Sequence, residues 1–136
     1  MVNQIFVNLP VKDLDRSVAF WTALGFSFNP QFTDENATCM LVGENIFVML
    51  LVEPYFQGFT PKPVSDASRQ TETLIALSLD NREAVDAMVD KVLAAGGTET
   101  QAARDLGFMY QRSFADPDGH QWEPFFMAAD AIPPQA

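Results

Sequence analysis

Apolar positions in the first half of the chain change period several times, and each change predicts an element. Alternating residues predict a strand over 5–9, which Pro10 ends. Asp13 is the expected N-cap of a helix that Gly25 stops. The apolar stripe of that helix consists of Leu14, Val18, Trp21 and Leu24. Three further strands are predicted over about 27–33, 37–42 and 46–52.

The second half of the chain repeats this order. A strand over 74–79 precedes a helix over about 82–95, which Gly96 and Gly97 close. The stripe of this helix consists of Val85, Met88, Val89 and Val92. Three strands follow, over about 98–103, 108–114 and 121–127. The chain is therefore predicted to be an α+β protein of two tandem βαβββ modules, whose curved, mostly antiparallel sheets surround a cleft with the helices outside.

The domain organisation follows from this duplication. We predict a single domain over 1–136, with module 1 at about 3–52, a linker at 53–72, module 2 at about 73–128 and a tail at 129–136. The linker is rich in proline and aromatic residues, and loops of this length are often functional. Two interpretations stay open for it: a lid over the cleft, or a plain connection between modules.

Charge and composition restrict the kinds of binding partner and the cellular compartment that we expect. Eighteen acidic residues against eight basic ones give a net charge of -10, which argues against nucleic acid as a partner. The single cysteine, Cys39, excludes an internal disulfide and favours a reducing cytoplasm. We expect no membrane association, because no apolar run approaches the length of a span and the first residues do not resemble a signal peptide.

One segment near the end of the chain carries the candidate chemistry. Asp-Pro-Asp-Gly at 116–119 is typical of a reverse turn, and strand-like residues on both sides predict a hairpin. Alternation after the turn places Gln121, Glu123 and Phe125 on one face of the last strand, and Trp122 on the other. Glu123 is either a functional carboxylate or a solvated residue of an outer strand.

Both ends of the chain resemble one known superfamily. Residues 6–21, from Phe-Val-Asn-Leu-Pro-Val to Ala-Phe-Trp, and residues 116–123, Asp-Pro-Asp-Gly-His-Gln-Trp-Glu, look like the signature ends of the glyoxalase, bleomycin-resistance and extradiol dioxygenase (vicinal oxygen chelate) superfamily. The chain is also similar to bacterial proteins labelled predicted lactoylglutathione lyase. This resemblance implies the fold, and it implies a homodimer whose cleft is built by one chain or by two. It leaves the function open, because the scaffold hosts lyases, dioxygenases and drug-binding proteins.

The resemblance also implies positions for a divalent metal. The positions of the four expected ligands hold Phe6, Met49, Leu74 and Glu123, and only Glu123 is a usable ligand. His120, the one histidine, differs in strand parity from Glu123 and is expected to point elsewhere. The sequence therefore predicts no cofactor and no metal site, and a divalent metal stays only as the alternative.

A cleft without metal is expected to be apolar, with few polar groups. Its predicted lining consists of Phe6, Asn8, Met49, Leu51, Leu74, Tyr110, Arg112, Glu123 and Phe125. Arg112 and Tyr110 are the expected partners of Glu123, either as a structural pair or as further contacts to a ligand.

Two classes of function remain. The first is a binding protein that sequesters a small aromatic or cationic molecule, as bleomycin-resistance proteins do. The second is an enzyme, either a lyase or dioxygenase with atypical metal ligands or a metal-free one with Glu123 as catalytic general acid or base. Whether the protein is an enzyme is left open by the sequence.

Overall fold

The computed structural model describes residues 1–131, so residues 132–136 of the predicted tail lie outside the described residues. Two compact units are present, the first of Met1–Asp66 and the second beginning at Ala67. This boundary falls within the segment 53–72 that was predicted as a linker. Within the described part of the chain, no helix is long and apolar enough to cross a membrane.

The first unit is one four-stranded sheet with helices. Its strands are β1 (Ile5–Val11), β2 (Ser27–Asn29), β3 (Ala37–Gly43) and β4 (Ile46–Val52), in the spatial order β1-β4-β3-β2. Its helices are α1 (Leu14–Ala23) and the short α2 (Glu53–Gln57). The pair β1–β4 is parallel and the other two pairs are antiparallel. The first predicted module is confirmed.

The second unit repeats this topology. Its strands are β5 (Leu74–Ser78), β6 (Thr98–Asp105), β7 (Met109–Ala115) and β8 (Gln121–Met127), in the order β5-β8-β7-β6. Helix α3 (Arg82–Ala94) packs against β6, β7 and β8. The pair β5–β8 is parallel and the other two pairs are antiparallel. The two modules and their mostly antiparallel sheets are therefore as predicted.

The helix ends follow the predicted capping chemistry. Asp13 caps α1 by accepting a hydrogen bond from the backbone N–H of Arg16, and Asn81 caps α3 in the same way through Ala84. Gly25 follows α1 with φ +100°, in the left-handed region that glycine adopts without strain. These local signals position both helices against their sheets.

The core of each unit lies between the sheet and its helix. In the first unit, alternate strand residues such as Leu9, Val48 and Leu50 are buried, as are Phe20 and Trp21 of α1. The core of the second unit is formed by Val85, Val89, Val92, Phe114 and Trp122. The rings of Phe114 and Trp122 stack with their centroids 6.5 Å apart. The stripe predicted for α3 thus supplies three core residues. The stripe predicted for α1 was partly wrong, because Leu14 and Val18 are only half-buried while Phe20 is buried.

Three predicted boundaries were wrong. Strand β1 continues through Pro10 to Val11, because β1 is an edge strand, where a missing N–H is tolerated. Strand β2 ends at Asn29, since Pro30 begins a 3-10 turn that the Asn29 side chain caps. The predicted linker begins with α2, whose first turn contains Pro54, a favoured residue at a helix start.

The turn between β7 and β8 is organised by Asp116, whose side chain is buried. One carboxylate oxygen accepts hydrogen bonds from the backbone N–H of Asp118 (3.0 Å) and of His120 (3.1 Å). The other oxygen accepts from the indole N–H of Trp122 at 3.1 Å. Burial raises the pKa of Asp116, and the hydrogen bond from Trp122 and the charge of His120 oppose that rise. The predicted hairpin is confirmed, because Ala115 pairs with Gln121.

Gly119 closes this turn at a place where no other residue fits. Its N–H donates to the carbonyl oxygen of Asp116 at 2.9 Å, and its φ is +94°. A Cβ added there would lie 2.7 Å from backbone atoms of Ala67 and Ser68. Gly107 has a similar φ of +82°, but an added Cβ would meet nothing within 4 Å.

We predict that Gly119→Ala destabilises the protein more than Gly107→Ala does. Both changes carry the cost of a left-handed alanine, about 1–2 kcal/mol. Gly119→Ala adds overpacking against backbone, roughly a further 1–3 kcal/mol. Denaturant unfolding of both variants measures the difference. Equal free energies of unfolding would show that the turn is not packed against residues 67–68.

Candidate functional site

The predicted site residues of the first unit share one face of its sheet. Asn8 pairs with Met49, and Phe6 pairs with Phe47, two residues earlier on the same strands. Leu51 continues that face and is only 3% exposed, so it belongs to the buried part of the sheet. The expected parity of Phe6 with Asn8 and of Met49 with Leu51 is therefore confirmed. We call this side of the sheet the Phe6 face.

Along the Phe6 face, the residues become more exposed from Leu51 toward Phe6, where two aromatic rings stack. The ring of Phe6 stacks on that of Phe47, with centroids 4.6 Å apart and ring planes 16° apart. Phe6 is 42% exposed, and Leu41, the neighbour of Phe47 on β3, is exposed as well. The Asn8 amide donates to the carbonyl oxygen of Phe6 at 3.2 Å. This end of the sheet thus presents apolar and aromatic surface together with one amide.

The predicted site residues of β8 lie on one face of the second sheet. Glu123 pairs with Ala76, Gln121 with Leu74 and Phe125 with Ser78 on the neighbouring strand β5. The β5 members of these pairs are exposed, while those of β8 are half-buried. Glu123, Phe125 and Leu74 therefore share a face, as strand parity predicts. We call it the Glu123 face.

The carboxylate of Glu123 is held by neutral donors. The hydroxyl of Ser113 on β7 donates to Glu123 Oε2 at 3.0 Å, and the amide of Gln121 approaches the same oxygen at 3.5 Å. Ser113 is a contact that the sequence analysis missed. The hairpin register would have revealed it, because two steps outward from the pair Ala115 and Gln121 place Ser113 opposite Glu123.

Tyr110 and Arg112 do not accompany Glu123. Tyr110 pairs with Phe126 on β8, so its side chain lies on the opposite face from Glu123, and Arg112 shares the parity of Tyr110. Both side chains bind Asp86 of α3 instead, the Tyr110 hydroxyl at 2.6 Å and the Arg112 guanidinium at 3.0 Å. The expected pairing with Glu123 was therefore wrong, because neighbouring strands do not imply a common face.

These contacts build a charged network between α3 and the strands. Arg112 also forms an ion pair with Glu99 at 2.9 Å, and its side chain is largely buried. The hydrogen bond from Tyr110 holds the pKa of Asp86 below its ordinary value, and it raises the pKa of the Tyr110 phenol. Arg82 lies over the Tyr110 ring at 5.0 Å. The network therefore fastens the helix to its sheet.

Comparisons of sequence and of structure point to the same group of related proteins. The profile of the family described as bleomycin resistance protein-like N-terminal matches residues 4–43. A hypothetical protein from S. aureus is 31% identical, with a TM-score of 0.78 and 95% of each chain covered. An enzyme from Burkholderia phytofirmans PsJN, of the glyoxalase/bleomycin resistance protein/dioxygenase family, has a TM-score of 0.74 at 19% identity, covering 90% of this chain and 96% of its own.

The chain belongs to the glyoxalase, bleomycin-resistance and dioxygenase superfamily. A fosfomycin resistance protein of this superfamily from Mesorhizobium loti shares the fold, with a TM-score of 0.70 at 16% identity over 96% of this chain and 97% of its own. Comparison with functionally curated proteins gives no match.

The internal repeat relates the four positions that the superfamily resemblance implies for metal ligands. Phe6 and Leu74 both lie seven residues before the side chain that caps the following helix. Phe6 pairs with Phe47, which lies two residues before Met49. In the same way, Leu74 pairs with Gln121, which lies two residues before Glu123. The four residues therefore occupy equivalent places in the two sheets.

This set of residues does not fit the metal of the superfamily. A divalent ion needs about three donors of oxygen, nitrogen or thiolate character, and the set contains one carboxylate with a phenylalanine, a methionine thioether and a leucine. Over residues 1–131, no three His, Cys, Asp or Glu side chains form a group that could hold an ion. Cys39 is buried, which raises the pKa of its thiol.

The pair of Arg82 with Asp105 gives a pH prediction for the charged network. Two hydrogen bonds from Arg82, at 2.8 and 2.9 Å, and one from the N–H of Gly107 lower the pKa of Asp105 from 3.8 to about 2. Because the folded pKa lies below the unfolded one, the pair stabilises the fold above pH 3.8, and that contribution is lost as the pH falls through about 2.

We expect a carbon-detected NMR titration to give Asp105 a midpoint near 2. Arg82→Gln should move that midpoint back toward 3.8, whereas Arg104→Gln, the control on the same strand, should leave it in place. A wild-type midpoint near 3.8 would show that the Arg82 contact does not form in solution.

Proposed function

We propose that the protein binds a small aromatic or cationic organic molecule, as a sequestering or resistance protein does, without a metal ion. The observation that carries this proposal is the stacked pair of Phe6 and Phe47, whose outer ring is 42% exposed. Planar ligands pack well on such a ring, and offset aromatic stacking contributes about 0.5–1.5 kcal/mol beyond the area it buries.

The surroundings of the ring pair support an apolar ligand. Phe6, Phe47 and Leu41 are register partners on three adjacent strands, so their side chains form a continuous row. Contiguous exposed apolar surface tends to mark interaction sites rather than ordinary solvated surface. Asn8, one step along β1, supplies a polar group that could orient a ligand.

Charge supports the cationic part of the proposal. The chain carries a net charge of -10, which attracts cations at long range. On the second unit, Glu123 offers a carboxylate whose hydrogen-bond donors, Ser113 and Gln121, are both neutral. The matching family of bleomycin resistance-like proteins and the similar fold of a fosfomycin resistance protein are consistent with a resistance role.

An enzymatic function is the second candidate, and the hydrogen bond from Ser113 favours it. A hydrogen bond of 3.0 Å from the Ser113 hydroxyl orients this half-buried carboxylate, which supports a role for Glu123 as general acid or base. As a carboxylate, Glu123 would accept a proton from an acidic C–H or O–H of the bound molecule, and as the resulting carboxylic acid it would return that proton to a basic oxygen or carbon of the product. The metal-dependent lyase or dioxygenase variant would need ligands from outside the positions that the superfamily implies.

We predict that aromatic ligands lose affinity when the exposed ring is removed. The probes are naphthylmethylamine and the neutral naphthylmethanol, with binding followed by NMR shifts and by the melting temperature. Phe6→Leu keeps apolar volume but removes the stacking surface, so both probes should bind about 3- to 10-fold more weakly.

Phe32→Ala is the matched control, because Phe32 is 56% exposed but lies in a 3-10 turn outside the strands. It should leave the affinity for both probes unchanged. The proposal is wrong if neither probe binds the wild-type protein, or if Phe6→Leu and Phe32→Ala weaken binding equally. Turnover of a probe or of a hydroxy-ketone substrate that disappears in Glu123→Gln would instead favour the enzyme.

A further inference from the structure

The two oxygens of the Glu123 carboxylate have different surroundings. Oε2 receives the hydrogen bond from Ser113 at 3.0 Å and the longer contact from Gln121 at 3.5 Å. For Oε1, no hydrogen-bond partner is present among residues 1–131. In that same range no buried side-chain oxygen or nitrogen lacks a partner, so Oε1 is in contact with solvent.

The cations near this sheet do not neutralise Glu123. Arg82 is bound to Asp105, and Arg112 is bound to Asp86 and Glu99, on the face opposite Glu123. Arg104 is the register partner of Gln111 on the edge strand β6. Within the described chain it forms no ion pair with Glu123. Among residues 1–131, none of these three arginines is paired with Glu123.

Ser113 restricts the orientation of that carboxylate. Ser113 is 4% exposed and lies on β7 directly across from Glu123, so the strand pairing brings its hydroxyl within reach of the carboxylate. A donor that engages one oxygen limits the rotation of the carboxylate and directs the lone pairs of the other oxygen away from the donor. The free oxygen can then accept a charge-assisted hydrogen bond, which is stronger than one between neutral groups.

We infer that Ser113 is a positioning residue, which holds Glu123 so that Oε1 accepts an N–H from a bound ammonium or amidinium group. This inference rests on the proposed small-molecule function and specifies the class of ligand. It distinguishes a hydrogen bond from simple charge attraction, because a quaternary ammonium ion has the charge but no N–H.

Three probes of the same shape test the inference by calorimetric titration. They are naphthylmethylamine, the naphthylmethyltrimethylammonium ion and naphthylmethanol. We expect the wild-type protein to bind the amine about tenfold more tightly than either of the others, the usual size for a hydrogen bond to a charged group. Glu123→Gln, which keeps the shape of the side chain, should reduce this preference to less than about twofold.

Variants of Ser113 separate positioning from general stability. Ser113→Ala should lower the preference for the amine about 3- to 10-fold while leaving the affinity for naphthylmethanol unchanged, since the neutral alcohol has no charge to pair with Glu123. Ser113→Thr retains a hydroxyl and should restore much of the preference. Ser78→Ala, the control on the same face of β5, should bind all three probes like the wild type.

Failure of this inference can be told apart from failure of the proposed function. If naphthylmethanol binds but the amine gains nothing over it or over the quaternary ion, the role of Glu123 and Ser113 is wrong while aromatic binding stands. If Ser113→Ala weakens all three probes equally, Ser113 is structural only. If none of the probes binds the wild-type protein, both proposals fall together.

Discussion

The register of the hairpin formed by β7 and β8 determines which chemistry the second unit can present. Side chains alternate between the faces of a strand, so a slip of one residue would move Glu123 to the helix side and Trp122 away from the core. Asp116 prevents this slip by binding two backbone N–H groups of the turn and the indole of Trp122. One buried carboxylate thus fixes both the stacking of Trp122 on Phe114 and the contact of Ser113 with Glu123.

Much of the fold was predictable because its signals are local. The caps Asp13 and Asn81 depend on neighbouring residues, and the structure confirms them together with most of the α3 stripe. The errors arose where tertiary position overrides local preference. Pro10 is compatible with β1 only because β1 is an edge strand, and edge position is not written in the residues of one strand.

The candidate site was predictable to the extent that strand parity determines it. Parity alone groups Phe6 with Asn8 and Glu123 with Phe125, and the structure agrees. Pairing across strands needs register as well, which is why Arg112 was assigned to Glu123 although it binds Asp86 and Glu99. Ser113 lies opposite Glu123 in the hairpin, and only the register identifies it as a partner, because a neutral serine carries no charge that would indicate a pair. The charge of a nearby residue is therefore a poorer guide to the hydrogen-bond partner of Glu123 than the hairpin register counted outward from the turn.

We propose that this member of the superfamily retains one carboxylate of the metal site and uses it to bind an organic ligand. Metal analysis by mass spectrometry, on protein purified without chelator and then equilibrated with nickel, zinc, manganese and iron(II), tests the claim most directly. We expect no stoichiometric ion, and the same metal content in the wild type and in Glu123→Gln, because Phe6, Met49 and Leu74 supply no adequate donor. One equivalent of a divalent ion that Glu123→Gln abolishes would contradict the account.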